Sequence, residues 1–306
     1  MEQLLRNFFL YLSKNMTLTA AARKWGLRFG ASRFVAGETI AEAIATVRDL
    51  NRKGLLCTLD HLGEFVFRVE EANESADYCI RTLEAIHQAG VNCNLSVKLT
   101  QLGLDISREL CVGNMRRILD AAKRFGNNFV RIDMEDYAHN ETTLEILEEL
   151  LRDYDNVGTV IQAYLYKSAA DIERLKEKRV NLRLVKGAYK ESPEVAWPDK
   201  ADVDENYKQL IRQHLLNGNY AAIATHDDNI INYVKQLVEQ EQIPRDQFEF
   251  QMLYGIRPQR QVELAKEGYR MRVYVPFGND WYGYFMRRLA ERPANVAFVL
   301  KGLFKA

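Results

Sequence analysis

The stretch LLCTLDHLG at 55–63 decides the fold. A short apolar run ends on an acid and a histidine. Amphipathic sequence then follows, SADYCIRTLEAIHQAG at 75–90, with apolar residues three and four apart. The same alternation continues to the end of the chain. Strand-like runs are LLCTLD (55–60), NCNLSVKL (92–99), FVRIDME (129–135) and VGTVIQAYL (157–165). They continue as NLRLVKGAY (181–189), YAAIATH (220–226), FEFQMLYG (248–255) and MRVYVPFG (271–278). Helix-like segments such as ETTLEILEELLRDY, SAADIERLKEKR and YVKQLVEQEQ lie between them. Strands alternating with helices pair in parallel through crossovers, and eight such units in about 250 residues match an α/β fold of the (β/α)8 barrel type. An open doubly wound sheet that bound a nucleotide would carry a glycine-rich turn after its first strand. Here that position reads Asp60-His61-Leu62-Gly63, and no G-x-G-x-x-G occurs. No linker, repeat or low-complexity tract divides residues 1–306, so one domain is expected, with 1–50 forming extra N-terminal helices on the barrel.

Composition narrows the function classes. Lys plus Arg and Asp plus Glu are both 42, so the 306-residue chain has no formal net charge. Nucleic-acid binding, which favours a basic excess, is disfavoured. A hydrophobic content of 47 % excludes general disorder. Cys57, Cys79, Cys93 and Cys111 show neither C-x-x-C nor zinc-finger spacing, so buried, reduced thiols in a cytoplasmic protein are expected. No apolar run approaches the ~20 residues of a membrane span. At the N-terminus, MEQLLRNFFLYLSKN reads as an amphipathic helix with Leu4, Phe8, Tyr11 and Leu12 on one face. That helix could rest on a membrane or pack across the barrel.

In a barrel, chemistry collects at the carboxyl ends of the strands. Those ends read Asp60-His61, Lys98, Asp133-Met134-Glu135, Gln162, Arg183 with Lys186, Thr225-His226-Asp227, Gln251 with Tyr254, and Tyr274. Polar groups are costly to bury unless paired, so eight polar ends imply a deep polar pocket. In the last helix, Tyr284, Arg287, Arg288 and Glu291 follow i, i+3, i+4, i+7 spacing and share a face. Adjacent guanidinium forks suit a carboxylate clamp, with Glu291 placed to hold one of them.

Three other readings compete. A metallo-hydrolase would offer several histidines at the mouth, but the chain has 5 in all and no H-x-H, so no metal is expected. A Schiff-base aldolase could use Lys98 or Lys186 as nucleophile. A catalytically inactive barrel could serve as a binding protein, although the arginine pair is retained.

The motifs RLVKGAY (183–189), ATHD (224–227), FEFQMLYG (248–255), VYVPFG (273–278), YFMRRLAERPAN (284–295) and VRIDMED (130–136) resemble, in order, those of the proline dehydrogenases. The length is similar to that of the short monofunctional bacterial enzymes. The resemblance implies a distorted barrel that binds FAD non-covalently and oxidises L-proline to Δ1-pyrroline-5-carboxylate. Electrons would pass to a membrane quinone. It implies transient contact with the inner face of the cell membrane and with a pyrroline-5-carboxylate dehydrogenase. By the same resemblance, Arg287 and Arg288 grip the proline carboxylate, with Lys98 assisting. Asp133 helps position the substrate-binding residues. Tyr274, Tyr284, Leu253 and Ala188 line the proline site, and Glu291 holds an arginine of the clamp. Met134, Gln162, Ala163, Arg183, Lys186, Gly187, Ala188, Thr225 and His226 contact the flavin. Arg183 would lie near the flavin N5, where a cation stabilises developing negative charge. In the larger bifunctional members an aromatic residue commonly follows GAY; here it is Lys190.

Overall fold

The structure is a computed structural model that describes residues 12, 31–63 and 66–291. The side chains of Ala290 and Glu291, and the stretch carrying Leu4, Phe8 and Tyr11, lie outside the described residues. Helix α1 (Ile40–Arg52) precedes strand β1 (Leu56–His61). Then come α2 (Val69–Ala89), β2 (Cys93–Val97), α3 (Arg108–Arg124), β3 (Val130–Ile132) and α4 (Tyr137–Leu150). Two short strands follow, β4 (Val157–Gly158) and β5 (Val160–Gln162), then α5 (Ser168–Leu175) and β6 (Leu182–Val185). The chain continues with α6 (Lys200–Leu216), β7 (Ala221–Ala224), α7 (Asp228–Gln240), β8 (Phe248–Leu253), α8 (Pro258–Lys266), β9 (Met271–Phe277) and α9 (Trp281–Glu291).

The strands pair in parallel, in the order β4-β3-β2-β1-β9-β8-β7-β6-β5. The two outermost strands, β4 and β5, are separated only by Thr159, so the chain itself closes the barrel there. The run expected as one strand over 157–165 is therefore one stave broken at Thr159. Arg131 sits at the break. Its guanidinium donates to the Thr159 carbonyl at 2.8 Å and also to the Asn181 carbonyl, adding side-chain bonds to the ladder bond that the Thr159 carbonyl accepts from Arg183 N at 2.9 Å. The Thr159 hydroxyl in turn donates to the Ile132 carbonyl at 2.9 Å. Only glycine fits beside this crossing: a Cβ at Gly158 would lie 2.1 Å from the Asn181 carbonyl oxygen.

Several strands are shorter than the sequence reading drew them. β3 ends at Ile132 rather than 135, and β6 at Val185 rather than 189. Asp133 keeps one backbone bond to the Val97 carbonyl, at 2.8 Å, and the chain then turns into α4. Two helices start earlier than the periodicity suggested because acids cap them. The Asp136 side chain accepts from His139 N ahead of α4, and the Asp227 side chain from Asn229 N ahead of α7.

Period-two alternation divides each strand between two environments. On β8, Phe248, Phe250 and Met252 join the apolar core beneath the helices, as do Met271, Val273, Val275 and Phe277 on β9. The intervening residues point into the barrel, whose interior is polar. All four cysteines are buried and unpaired.

The wall contains one substitution of parts. α1 buries Ala43, Ile44, Val47 and Leu50 against β1 and β9, covering the seam where a helix after the last strand would normally lie. α9 is thereby displaced. Its Trp281, Tyr284, Phe285, Met286 and Leu289 form a separate cluster with Ala31, Phe34, Val35, Leu62 and Ile256. Leu62 and Ile256 follow the carboxyl ends of β1 and β8, so α9 sits at the mouth. Leu12 packs, partly buried, against the same cluster. Residues 36–38 tie it down: Ala36 N donates to Pro276 O, Gly278 N to Gly37 O (both 2.9 Å), and Trp281 Nε1 to Glu38 Oε1 at 3.0 Å.

Candidate active site

Arg183 is the centre of the buried network. From β6 its Nη1 donates to Asp133 Oδ1 at 2.6 Å, its Nη2 to Ser96 Oγ at 3.1 Å and its Nε to Gln251 Oε1 at 2.6 Å. Those partners stand on, or just beyond, β3, β2 and β8, so the side chain spans the barrel interior. Its guanidinium also lies 5.2 Å from the centre of the Tyr274 ring. Tyr274, on β9, donates its hydroxyl to Asp133 Oδ2 at 2.7 Å. Burial, reinforced by the Asp133 charge, pushes the Tyr274 phenol well above its usual range and keeps it a donor.

Lys98, one residue past β2, donates to Asp60 Oδ1 at 2.8 Å and lies 4.0 Å from Asp133 Oδ2. Burial raises the Asp60 carboxyl above its normal value, and the Lys98 charge only partly offsets this. Asp133, Arg183, Tyr274 and Lys98 thus form one assembly. Asp60, Ser96 and Gln251 join it unassigned. Period-two spacing along β8 was the available signal, since Glu249, Gln251 and Leu253 share a face.

A second group lines the mouth from β5 round to β8. Gln162 donates through Nε2 to the Glu135 carbonyl at 3.0 Å, while its buried Oε1 has no hydrogen-bond partner among the described residues. Neighbouring Ala163 and Met134 are buried. Gly187 has φ +116°, and a Cβ there would lie 2.3 Å from the Tyr164 ring, so only glycine makes this turn over the aromatic face. Ala188 is exposed beside it. Lys186 places its ammonium 2.5 Å from Asp204 and 2.9 Å from Asp227. The Thr225 hydroxyl accepts from Asp227 N at 3.1 Å, and His226 Nε2 accepts from Leu253 N at 3.0 Å. The latter bond joins the ends of β7 and β8. It also fixes the neutral His226 tautomer, with its proton on Nδ1.

On α9, Tyr284 is buried, whereas Arg287 and Arg288 are half-buried. The Arg288 guanidinium stands 4.9 Å from the Tyr284 ring centre. Leu253, at the end of β8, packs against the α9 cluster, which brings the helix to the strand ends. The Glu291 side chain, expected beside the clamp, lies outside the described residues. Among the described residues no helix is long and apolar enough to cross a membrane.

This geometry can hold a small anion-bearing substrate over a fixed internal cation, with an unsatisfied acceptor alongside for a planar cofactor. A family model described as "Proline dehydrogenase" matches residues 43–301. Proline dehydrogenase 1 of Bacillus subtilis is 57 % identical over 302 residues, covering 99 % of this chain and 100 % of the relative. Proline dehydrogenase of Deinococcus radiodurans is 47 % identical over 311 residues, covering 99 % of each. Among solved structures, proline utilization A (PutA) from Bdellovibrio bacteriovorus, inactivated by N-propargylglycine, superposes with a TM-score of 0.83 at 27 % identity. That match covers 94 % of this chain but 36 % of the PutA chain. With a barrel that closes through Thr159 and a full-length match to monofunctional relatives, the chain belongs to the proline dehydrogenase family.

Proposed function

We propose that the chain oxidises L-proline to Δ1-pyrroline-5-carboxylate, with FAD as cofactor and a quinone as electron acceptor. The carrying observation is Arg183, a buried cation held by three neutral or acidic partners from three parts of the barrel. FAD, when bound, supplies the two-electron acceptor for the hydride that leaves proline C5. The residues present fit such a group. The orphaned Gln162 Oε1 is an acceptor buried without a donor, a costly arrangement that an imide N–H would relieve. Gln162, Ala163, Met134, Gly187, Ala188, Thr225 and His226 would hold the cofactor. Lys186, with three donors and two adjacent acids, has capacity left for a phosphate.

Proline offers few atoms to recognise, so its carboxylate must be fixed before C5 can lie at near-attack distance, ~3–3.5 Å. Arg287 and Arg288 take that carboxylate. Lys98, anchored by Asp60, adds a further positive charge. Asp133 holds Arg183 and Tyr274 in register through its two oxygens. Tyr274, Tyr284, Leu253 and Ala188 enclose the ring and exclude water. Lys98 is engaged as a donor to Asp60, an ammonium's role, which argues against a Schiff-base nucleophile. Transient contact with a membrane and with a pyrroline-5-carboxylate dehydrogenase completes the reading.

Colour tests it. Protein reconstituted with FAD should be yellow and should bleach on anaerobic addition of L-proline. A colourless product, or one that stays oxidised under excess proline, overturns the assignment. Borohydride with proline should trap no lysine adduct.

A further inference from the structure

Below Arg183 the network continues into a layer that the reaction as described does not use. Gln251 accepts from Arg183 through Oε1 and donates through Nε2 to Glu249 Oε1 at 2.6 Å. The same Glu249 oxygen accepts from Arg272 Nε at 2.7 Å, and Oε2 accepts from the Tyr220 hydroxyl at 3.0 Å. Arg272 Nη1 is anchored on the Cys57 carbonyl at 2.6 Å. Glu249 is 2 % exposed and Gln251 3 %, so water does not substitute for any of these partners.

An amide has two different ends. An ionised carboxylate only accepts, so it can face only the NH2 end of Gln251. The oxygen end is then forced towards Arg183, whose guanidinium only donates. Burial would push the Glu249 carboxyl up, but Arg272 and the hydrogen bonds to it outweigh this and hold it below its usual range. Glu249 therefore stays acceptor-only.

We propose that Glu249 is a positioning residue: by fixing the polarity of the Gln251 amide, it aims the Arg183 guanidinium at the flavin. This rests on the reading of Arg183 as the cation beside the flavin. With Glu249→Gln, the side chain at 249 can both donate and accept. Where the new amide presents its NH2 to Gln251, two donors meet: either that contact opens or Gln251 turns and sets its own NH2 against the donor-only Arg183, and both outcomes shift the acceptor that holds the cation and remove charge stabilisation from the reduced cofactor.

The test measures the midpoint potential of the bound flavin anaerobically, alongside steady-state kinetics. Glu249→Gln is expected to lower the potential, changing the reduction equilibrium at least tenfold (about 30 mV for a two-electron couple). kcat should fall more than the proline KM rises. Tyr220→Phe removes a hydrogen bond from the same carboxylate without touching Gln251, and should leave the potential in place. If Glu249→Gln does not yield folded protein, Gln251→Met decides, because it removes the acceptor for Arg183 and should lower the potential likewise. An unchanged potential in the folded variant overturns the proposal. So does an equal drop in Tyr220→Phe, which would mark a general loosening of the barrel. Wild-type protein that binds no flavin defeats the proposed function instead, so the two failures are distinct.

Discussion

Asp133 and Arg183 face each other across the barrel at 2.6 Å, both almost wholly withdrawn from solvent. Asp133 uses its other oxygen to receive Tyr274, so one carboxylate fixes a cation and an aromatic wall together. Removing its charge should therefore show in stability as well as in rate. Asp133→Asn keeps the volume but leaves Arg183 without a counter-ion, at a cost of about 3–5 kcal/mol. Thermal unfolding should shift down accordingly, and kcat/KM for proline should fall. A variant melting with the wild type would mean that the pair is not the structural keystone described.

The clamp helix makes a separable prediction. Arg288→Met preserves much of the side chain's apolar length while deleting its charge. One charge-assisted bond is worth roughly 1.5–3 kcal/mol, so the proline KM should rise about 10- to 100-fold. Flavin content should not change, because the groups proposed to hold flavin lie at the strand ends and in the loops just after them, not on α9. A near-normal KM would remove Arg288 from the carboxylate site.

Acid should weaken the fold through His214. Burial lowers this imidazole to about 4. Its Nε2 donates to the Tyr220 carbonyl at 3.0 Å, and its buried Nδ1 has no hydrogen-bond partner among the described residues, so a second proton there would be an uncompensated charge. In the unfolded chain the group titrates near 6.5, so between about 6.5 and 4 the unfolded state binds more protons. Stability is then present above that window and lost as pH falls through it, by up to about 3 kcal/mol. His61, lowered to about 4 chiefly by burial, acts in the same direction. His139, raised by its bonds to Asp105 and Asp136 against the opposing effect of burial, acts in the opposite one. Denaturant unfolding from pH 7 to pH 4 should show a shallower decline in His214→Asn than in the wild type. Identical declines would refute the assignment.

Closure of the barrel should be sensitive to a single methyl group. Gly158→Ala drives a Cβ to within 2.1 Å of the backbone oxygen of Asn181, which cannot yield as a side chain would. Overpacking of this kind costs roughly 1–3 kcal/mol or more, and here it acts where β4 must hand over to β5. A drop in midpoint temperature is expected, whereas a methyl accommodated at no cost would show that the seam is looser than the hydrogen bonds imply.

The barrel was legible because period-two runs ending on polar residues alternate with helical ones eight times. Asp133, Arg183, Tyr274 and Lys98 were legible for the same reason, as ionisable groups at strand ends. Glu249 and Arg272 were not, since their meaning depends on which side chains face each other across the barrel, and no local spacing records that. The break at Thr159 was missed because the side chain bonded to it, that of Arg131, lies in a different strand. The helical face of α9 could be read from its spacing, but its position over the mouth could not. That position follows from α1 occupying the wall, a competition between two distant amphipathic segments for one apolar seam.

The exchange between α1 and α9 separates two duties that a regular barrel gives to a single helix. The segment that seals the cylinder packs on the staves themselves, β1 and β9, whereas the one carrying the arginine pair packs on residues 31–35 and on two residues past the strand ends, Leu62 and Ile256. Substitutions on the arginine-bearing helix are therefore expected to reach substrate choice before they reach the vessel around it.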